Sequence, residues 1–227
     1  LRHSSAASDV YKRQHLDTRG SAGLFDVSHM GFFRFQGEDV RSWLSYVSTQ
    51  EYMKFQPGRC GYCHFLDHSG HIIDDMIFAV SSESEVLGVP NSTMVGIVFD
   101  WLSKLLPEDE SISIEDLSEE TSIIAIQGPK SEQVLSEILG NDNCIGRFRC
   151  QKIAHNDLGI TGWIQGTGYT GESGAEIFIP NEQATKVWSA LISHDFVSPV
   201  GLGARDTLRM EKGYLLSGQD FLWPEID

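Results

Sequence analysis

Hydrophobic and polar positions recur along this chain with two different periods, and the changeovers mark its elements. Between Glu38 and Thr49, Val40, Trp43, Leu44 and Val47 recur at i, i+3, i+4 and i+7, which predicts a helix with one buried face. The same spacing in Met94, Ile97, Val98, Trp101, Leu102 and Leu105 predicts a second helix from about 93 to 106. Lys130 to Leu139 and Glu182 to Ser193 give two more, and a last helix opens in Gly201-Leu-Gly-Ala-Arg-Asp206 and runs to about Gly213. Strands are predicted over Glu85 to Val89, Ser111 to Leu117, Ser122 to Ile126, Gly159 to Ile164 and Ala175 to Ile179. Residues 23 to 36 read as a loop entering a strand in which Phe33 and Phe35 alternate with Arg34 and Gln36. The clearest single signal is a hairpin: Gly61 to Leu66, the turn chemistry of Asp67 to Gly70, then His71 to Val80. Together these predict an α+β fold of mainly antiparallel sheets covered by helices. Residues 1 to 14 show neither period and are expected to be unpatterned or foreign sequence outside the fold.

The second strand of that hairpin carries two adjacent carboxylates, Asp74 and Asp75, among Ile72, Ile73, Met76, Ile77 and Phe78. Alternation sends them to opposite faces, so at least one is expected to face an apolar interior. An unpartnered carboxylate there costs several kcal/mol, and it needs a partner from the protein or from a ligand. A fold-stabilising aspartate that caps a neighbouring turn meets the same requirement, so the pair alone does not establish a site.

Composition sets outer limits. A chain of 227 residues fits one large or two small domains, and no apolar run approaches a membrane span. A formal net charge of −15 argues against general nucleic-acid binding, and an anionic ligand has to find a local basic spot. The cysteines Cys60, Cys63, Cys144 and Cys150 are too scattered for a disulfide scaffold. Cys60 and Cys63 form a C-x-x-C on a predicted strand, where three positions means opposite faces and poor geometry for one metal. No metal is expected. His29, next to an apolar strand, reads more readily as a structural histidine than as a catalytic one. The loop Gly166-Thr-Gly-Tyr-Thr-Gly-Glu-Ser-Gly174 has the glycines of a phosphate cradle, but no G-K-[ST] follows and the next element is a strand. It reads as a tight strand-to-strand loop that holds Tyr169 and Glu172 and aims Glu176.

Seven segments, in order, extend these readings: GLFDVSHMG (23–31), GRCGYCHF (58–65), GHIIDDMI (70–77), VPNS (89–92), AIQGP (125–129), TGYTGESGAEI (167–177) and GLGARDTLRMEKGYLLSGQDF (201–221). The chain thereby resembles the T-protein (aminomethyltransferase) family of the glycine cleavage system over residues 15 to 223. The resemblance implies two intertwined α+β subdomains, 15–108 and 109–227, around a central cavity for tetrahydrofolate. It also implies a C-terminal β-barrel domain that this chain lacks, so that the chain looks like part of a longer protein. Carried over residue by residue, Asp75 is the catalytic carboxylate. Glu176 grips the amino-pyrimidinone edge of the pterin, whose parallel N–H donors suit a carboxylate. Met30, Tyr62, Asn91 and Tyr214 line the pterin pocket, and Arg205 suits a folate carboxylate or orients an acid. Asp74, on the opposite face, is assigned a structural role.

The implied reaction moves a methylene carbon from the aminomethylated dihydrolipoyl arm of H-protein to tetrahydrofolate, releasing ammonia. Lipoylated H-protein is the implied partner, with neither nucleic acid nor membrane. The implied location is the cytoplasm of a bacterium or archaeon, or the mitochondrial matrix of a eukaryote. Related folate-dependent demethylases of small methylated amines or sulfonium compounds share the fold, as do non-enzymatic folate-binding proteins linked to iron–sulfur maintenance. The latter carry a K-G-C-Y-x-G-Q type motif, whereas Gly166 to Glu172 reads GTGYTGE without the cysteine. Two departures stand out. Gly166 occupies a position where many relatives have Arg, and Ala79 one where some have an aromatic residue.

Overall fold

The computed structural model of the chain describes residues 2–221, with side chains from residue 9 onward. In chain order come helix α1 (Arg2–Gly20), strands β1 (Ala22–Asp26) and β2 (Phe33–Gln36), helix α2 (Val40–Val47), strands β3 (Arg59–Leu66), β4 (Ile72–Val80) and β5 (Glu85–Pro90), and helix α3 (Val95–Lys104). Then follow β6 (Ser113–Asp116), β7 (Thr121–Gln127), α4 (Ser131–Leu139), β8 (Cys150–Lys152), β9 (Trp163–Gln165), β10 (Gly174–Pro180), α5 (Asn181–Ile192), β11 (Val197–Pro199) and α6 (Leu202–Lys212). The fold is α+β, as the periodicities imply. Among the described residues no helix is long and apolar enough to cross a membrane.

Two compact units share the chain. One takes residues up to 28, 122–147 and 151–214; the other takes 29–121, 148–150 and those from 215. The expected division placed a single changeover between 108 and 109, whereas the chain passes between units several times. The six-stranded sheet draws strands from both sides of the stretch that forms the five-stranded one, so a linear cut cannot separate the cores. The part of the expected second subdomain beyond residue 221 lies outside the described residues.

The unit that begins at His29 is built on a five-stranded sheet in the order β3-β4-β5-β2-β6, with every neighbouring pair antiparallel. Phe33, Phe35, Phe65 and Phe78 project from it into a core closed by Val40, Trp43 and Leu44 of α2 and by Val98 and Leu102 of α3. Phe78 is the hub, edge-on to Phe35 at 5.3 Å, Tyr52 at 5.4 Å and Phe65 at 6.0 Å. Fully burying each such ring contributes about 1.5–3 kcal/mol. The hairpin turn forms as its sequence implies, with Asp67 Oδ1 accepting the backbone N–H groups of Ser69 and His71.

The other unit carries a six-stranded sheet in the order β11-β1-β7-β10-β9-β8. Its core gathers Leu24, Ile124, Ile126, Ile164 and Ile177 with Val134, Leu135, Val187 and Leu191 from α4 and α5. Three of its strands, β1, β8 and β11, were not visible as such. β1, expected as loop, is buried at its first four positions and therefore lacks alternation, and β11 has three residues and is held by its parallel register on β1.

The expectation for residues 1 to 14 is also corrected: they belong to α1 from Arg2 on, and only Leu1 lies outside the described residues. The helix has no apolar stripe because polar tertiary bonds hold it. Arg19 donates to Thr170 O at 2.6 Å, Glu172 Oε1 at 2.8 Å, Glu211 Oε2 at 2.8 Å and Leu208 O at 3.2 Å. His15 meets Thr207 Oγ1 at 2.9 Å, and Gln14 Oε1 accepts the N–H of Gly201 at 3.2 Å. Window-based periodicity registers apolar faces only and misses such a helix.

Candidate functional site

In the unit that begins at His29, β3 and β4 pair so that Phe65 lies opposite Asp74 and His64 opposite Asp75. Asp74 therefore shares the core face with Met76 and Phe78, while Asp75 stands on the more accessible face with Ile77. The acid enclosed by the core is Asp74, not Asp75: Asp74 is 0% exposed and Asp75 is half-buried. Asp74 Oδ1 accepts the Ser217 hydroxyl at 2.7 Å and the Asn91 amide at 2.9 Å, and Oδ2 has no hydrogen-bond partner among the described residues. Burial pushes the Asp74 carboxyl up to about 6, opposed by the bonds from Ser217 and Asn91, with the nearby Asp75 charge adding to the rise.

Asp75 is gripped from two sides. The Tyr62 hydroxyl donates to Oδ2 at 2.5 Å, and Asn91 Nδ2 donates to Oδ1 at 2.6 Å. Tyr62 and His64 share the face of Asp75 because they are two apart on β3, and their positions sit diagonally and directly opposite it. Asn91 reaches both carboxylates because it follows Pro90, which pairs with Met76, so its amide lies level with the strand positions of the two acids. Met30 is half-buried in the turn before β2, anchored beside the end of β5 by the bond from Gly31 N–H to Pro90 O at 3.0 Å. The structure thus gathers Tyr62, Asp75 and Asn91 in direct contact and places Met30 in a turn fastened to the same strand end.

The remaining predicted residues lie in the other unit. Glu176 on β10 accepts the Thr167 hydroxyl through Oε2 at 2.6 Å. The half-buried Arg205 guanidinium on α6 lies over the Tyr169 ring at 4.8 Å and makes no salt bridge or hydrogen bond among the described residues. Burial lowers its proton affinity, opposed by the charge of Glu176. Tyr169 in turn stacks on Tyr214 with ring centroids 6.0 Å apart, and the Tyr214 hydroxyl accepts from Arg147 at 3.3 Å. Arg205 also lines a cavity of about 340 Å³ with Asp26, Trp188 and Val200.

The glycine-rich loop owes its glycines to close packing. A Cβ at Gly168 would sit 2.0 Å from Gln127 Oε1, and Gln127 itself ties the loop down by donating to Thr167 O at 3.0 Å and accepting from Thr170 at 3.0 Å. A Cβ at Gly166 would sit 2.1 Å from the Gly146 carbonyl oxygen, so the departure from Arg at this position has a local reason. Gly166→Ala is expected to lower stability by about 2 kcal/mol, as overpacking against backbone does. Urea unfolding checks this, and an unchanged midpoint would mean that the backbone yields.

Sequence reasoning missed Thr167, Ser217 and His64. Thr167 stands in the TGYTGE motif, but only the turn geometry aims it at Glu176. Ser217 is 143 positions from Asp74 and carries no local signal. Cys60 and Cys63 point to opposite sides, Cys60 toward the Cys150 thiol and Cys63 toward Tyr52 and Ser48. Burial pushes the Cys63 thiol up to about 12, which makes it inert. Among the described residues no group of three or more His, Cys, Asp or Glu is placed to hold a metal ion.

A family model described as the GCVT N-terminal domain matches residues 2–223. The aminomethyltransferase of Chlorobaculum tepidum is 40% identical over 214 residues, covering 91% of this chain and 58% of the relative. That of Listeria monocytogenes is 37% identical over 210 residues, covering 92% and 57%. The crystal structure of glycine cleavage system aminomethyltransferase T from Bartonella henselae superposes with a TM-score of 0.84 at 30% identity, covering 92% of this chain and 56% of that one. A heterotetrameric sarcosine oxidase from Corynebacterium sp. U-96, at 15% identity and a TM-score of 0.55, shares the fold alone. The chain therefore spans a little under three fifths of the length of the curated relatives it matches. With nearly its whole length matched by the family model and the ordered motifs in place, the chain belongs to the GCVT N-terminal domain family.

Proposed function

We propose that the chain is the folate-handling portion of an aminomethyltransferase of the glycine cleavage system. It would act on the aminomethylated dihydrolipoyl arm of H-protein and deliver the methylene carbon to tetrahydrofolate, with ammonia leaving. The observation that carries this reading is the Asp75 carboxylate, presented on an accessible sheet face with one oxygen held by Tyr62 and the other by Asn91. Such preorganisation keeps a negative charge in place beside a cationic amine without reorganisation during the reaction.

The side chains of the unit that carries Glu176 and Arg205 suit a reduced pterin with an anionic tail. Glu176 has one oxygen committed to Thr167, which leaves the other for the N–H donors of an amino-pyrimidinone edge. Arg205, half-buried and with its guanidinium donors unspent among the described residues, suits a carboxylate. Met30, Tyr62 and Asn91 supply apolar and polar wall in the unit of Asp75, and Tyr214 supplies an aromatic surface beside Tyr169 in the other unit. Tetrahydrofolate, when bound, supplies the nitrogen nucleophiles that take up the one-carbon unit. Asp75 orients and stabilises charge, and Glu176 fixes the pterin edge.

The test is a transfer assay that measures methylenetetrahydrofolate from aminomethylated H-protein, run beside a methylated amine and a sulfonium donor. Product from the H-protein donor alone is expected. Product only from another donor would replace the substrate, and none from any donor would remove the reading. Glu176→Ala is expected to weaken tetrahydrofolate binding about tenfold through the loss of a charge-assisted bond. Calorimetry showing equal affinity would take the pterin-gripping role away from Glu176.

A further inference from the structure

We propose that His64 is a positioning residue that commits the Tyr62 hydroxyl to Asp75. This rests on the functional reading above in so far as Asp75 serves transfer. Tyr62 has one hydroxyl proton, and among the described residues the acceptors within its reach are Asp75 Oδ2 at 2.5 Å and His64 Nε2 at 3.3 Å. If Nε2 were bare, the imidazole would compete with the carboxylate for that proton. If Nε2 carries a proton, it donates to the Tyr62 oxygen and leaves the hydroxyl proton to Asp75 alone. The shorter contact lies on the Asp75 side, and a donor on the tyrosine oxygen strengthens the bond that the same hydroxyl gives.

The surroundings hold this arrangement in place. The backbone of His64 is pinned on both sides by Thr49, whose hydroxyl accepts the His64 N–H at 2.9 Å and whose N–H donates to the His64 carbonyl at 3.1 Å. The rings of Tyr62 and His64 meet edge to face, with centroids 5.0 Å apart and an interplanar angle of 80°. His64 lies directly opposite Asp75 in the β3–β4 register, so the three side chains share one face of one hairpin. The chain of donors runs His64 to Tyr62 to Asp75, and Asn91 closes it from the other side at 2.6 Å. Among the described residues, His64 reaches Asp75 through Tyr62.

Two measurements test this. Ring-nitrogen NMR at neutral pH, with the His64 signals assigned by their loss in His64→Gln, is expected to show a proton on Nε2. A bare Nε2 would overturn the proposal whether or not the chain transfers methylene. In the transfer assay, His64→Phe is expected to lower kcat about tenfold with the tetrahydrofolate KM within about twofold, the effect of one weakened hydrogen bond. His64→Gln, whose amide N–H reaches to where Nε2 stands, is expected to keep at least about half of the wild-type kcat. Wild-type kcat in His64→Phe, or no recovery in His64→Gln, would also overturn it. A wild-type chain inactive with every donor would instead defeat the functional reading, and the nitrogen spectrum would still decide whether His64 donates.

Discussion

Replacing Asp75 with asparagine is expected to cut methylene transfer by about a hundredfold or more while leaving tetrahydrofolate affinity within about threefold. The two side chains have nearly the same shape, so Asn91 retains an acceptor at the Oδ1 position and the hairpin keeps its packing. What disappears is the fixed negative charge, together with the acceptor at 2.5 Å from the Tyr62 hydroxyl. Removing one preorganised electrostatic partner from a reacting centre costs about two to three orders of magnitude in kcat. Single-turnover transfer beside calorimetric titration separates the two effects. Undiminished transfer by Asp75→Asn would exclude the carboxylate from the chemistry, and a parallel loss of affinity would recast it as a binding group.

Asp74 leads to the second large effect, on stability. Its carboxyl stands at about 6 in the folded chain against an ordinary value of 3.8. Between those values the folded chain holds a proton that the unfolded chain has lost, so the stability attached to this group is full below 3.8 and drains away as pH rises through 6. The step corresponds to about 3 kcal/mol. Asp74→Asn is neutral throughout and keeps an oxygen for Ser217 and Asn91. The stability of the variant relative to wild type should therefore rise by about 2–3 kcal/mol between about pH 4 and about pH 8. Urea unfolding at those two conditions reads the difference directly. Parallel pH profiles for variant and wild type would mean that Asp74 is not strained by burial.

These two residues also show how far the sequence reaches. Alternation along 72–80 requires that one of the adjacent acids face the core, and that requirement is met. It does not say which. The choice follows from the pairing of Phe65 with Asp74 and from the stacking of Met76 and Phe78 on the same side, and both are properties of the assembled sheet. The motif resemblance singled out Asp75, whereas the physical case for a buried, partner-seeking acid applied to its neighbour. The residue that answers Asp74 is Ser217, far along the chain, and the residue that orders Tyr62 is His64, which becomes meaningful only when Asp75 lies opposite.

By itself the sequence determined the α+β class, the hairpin from 61 to 80 and helices α2 to α6, because apolar period and turn chemistry are local and act before any tertiary contact forms. It also determined, through ordered motifs, which side chains to suspect. Only the tertiary structure decided that α1 is a helix, that β1, β8 and β11 are strands, how the chain is shared between two units, and which aspartate is enclosed. In each case the cause is a contact between segments remote in sequence: Arg19 reaching Thr170 and Glu172, β1 beside β11, Ser217 beside Asp74. Local spacing carries no record of a partner a hundred residues away, and that is where the physical reason for each of these features lies.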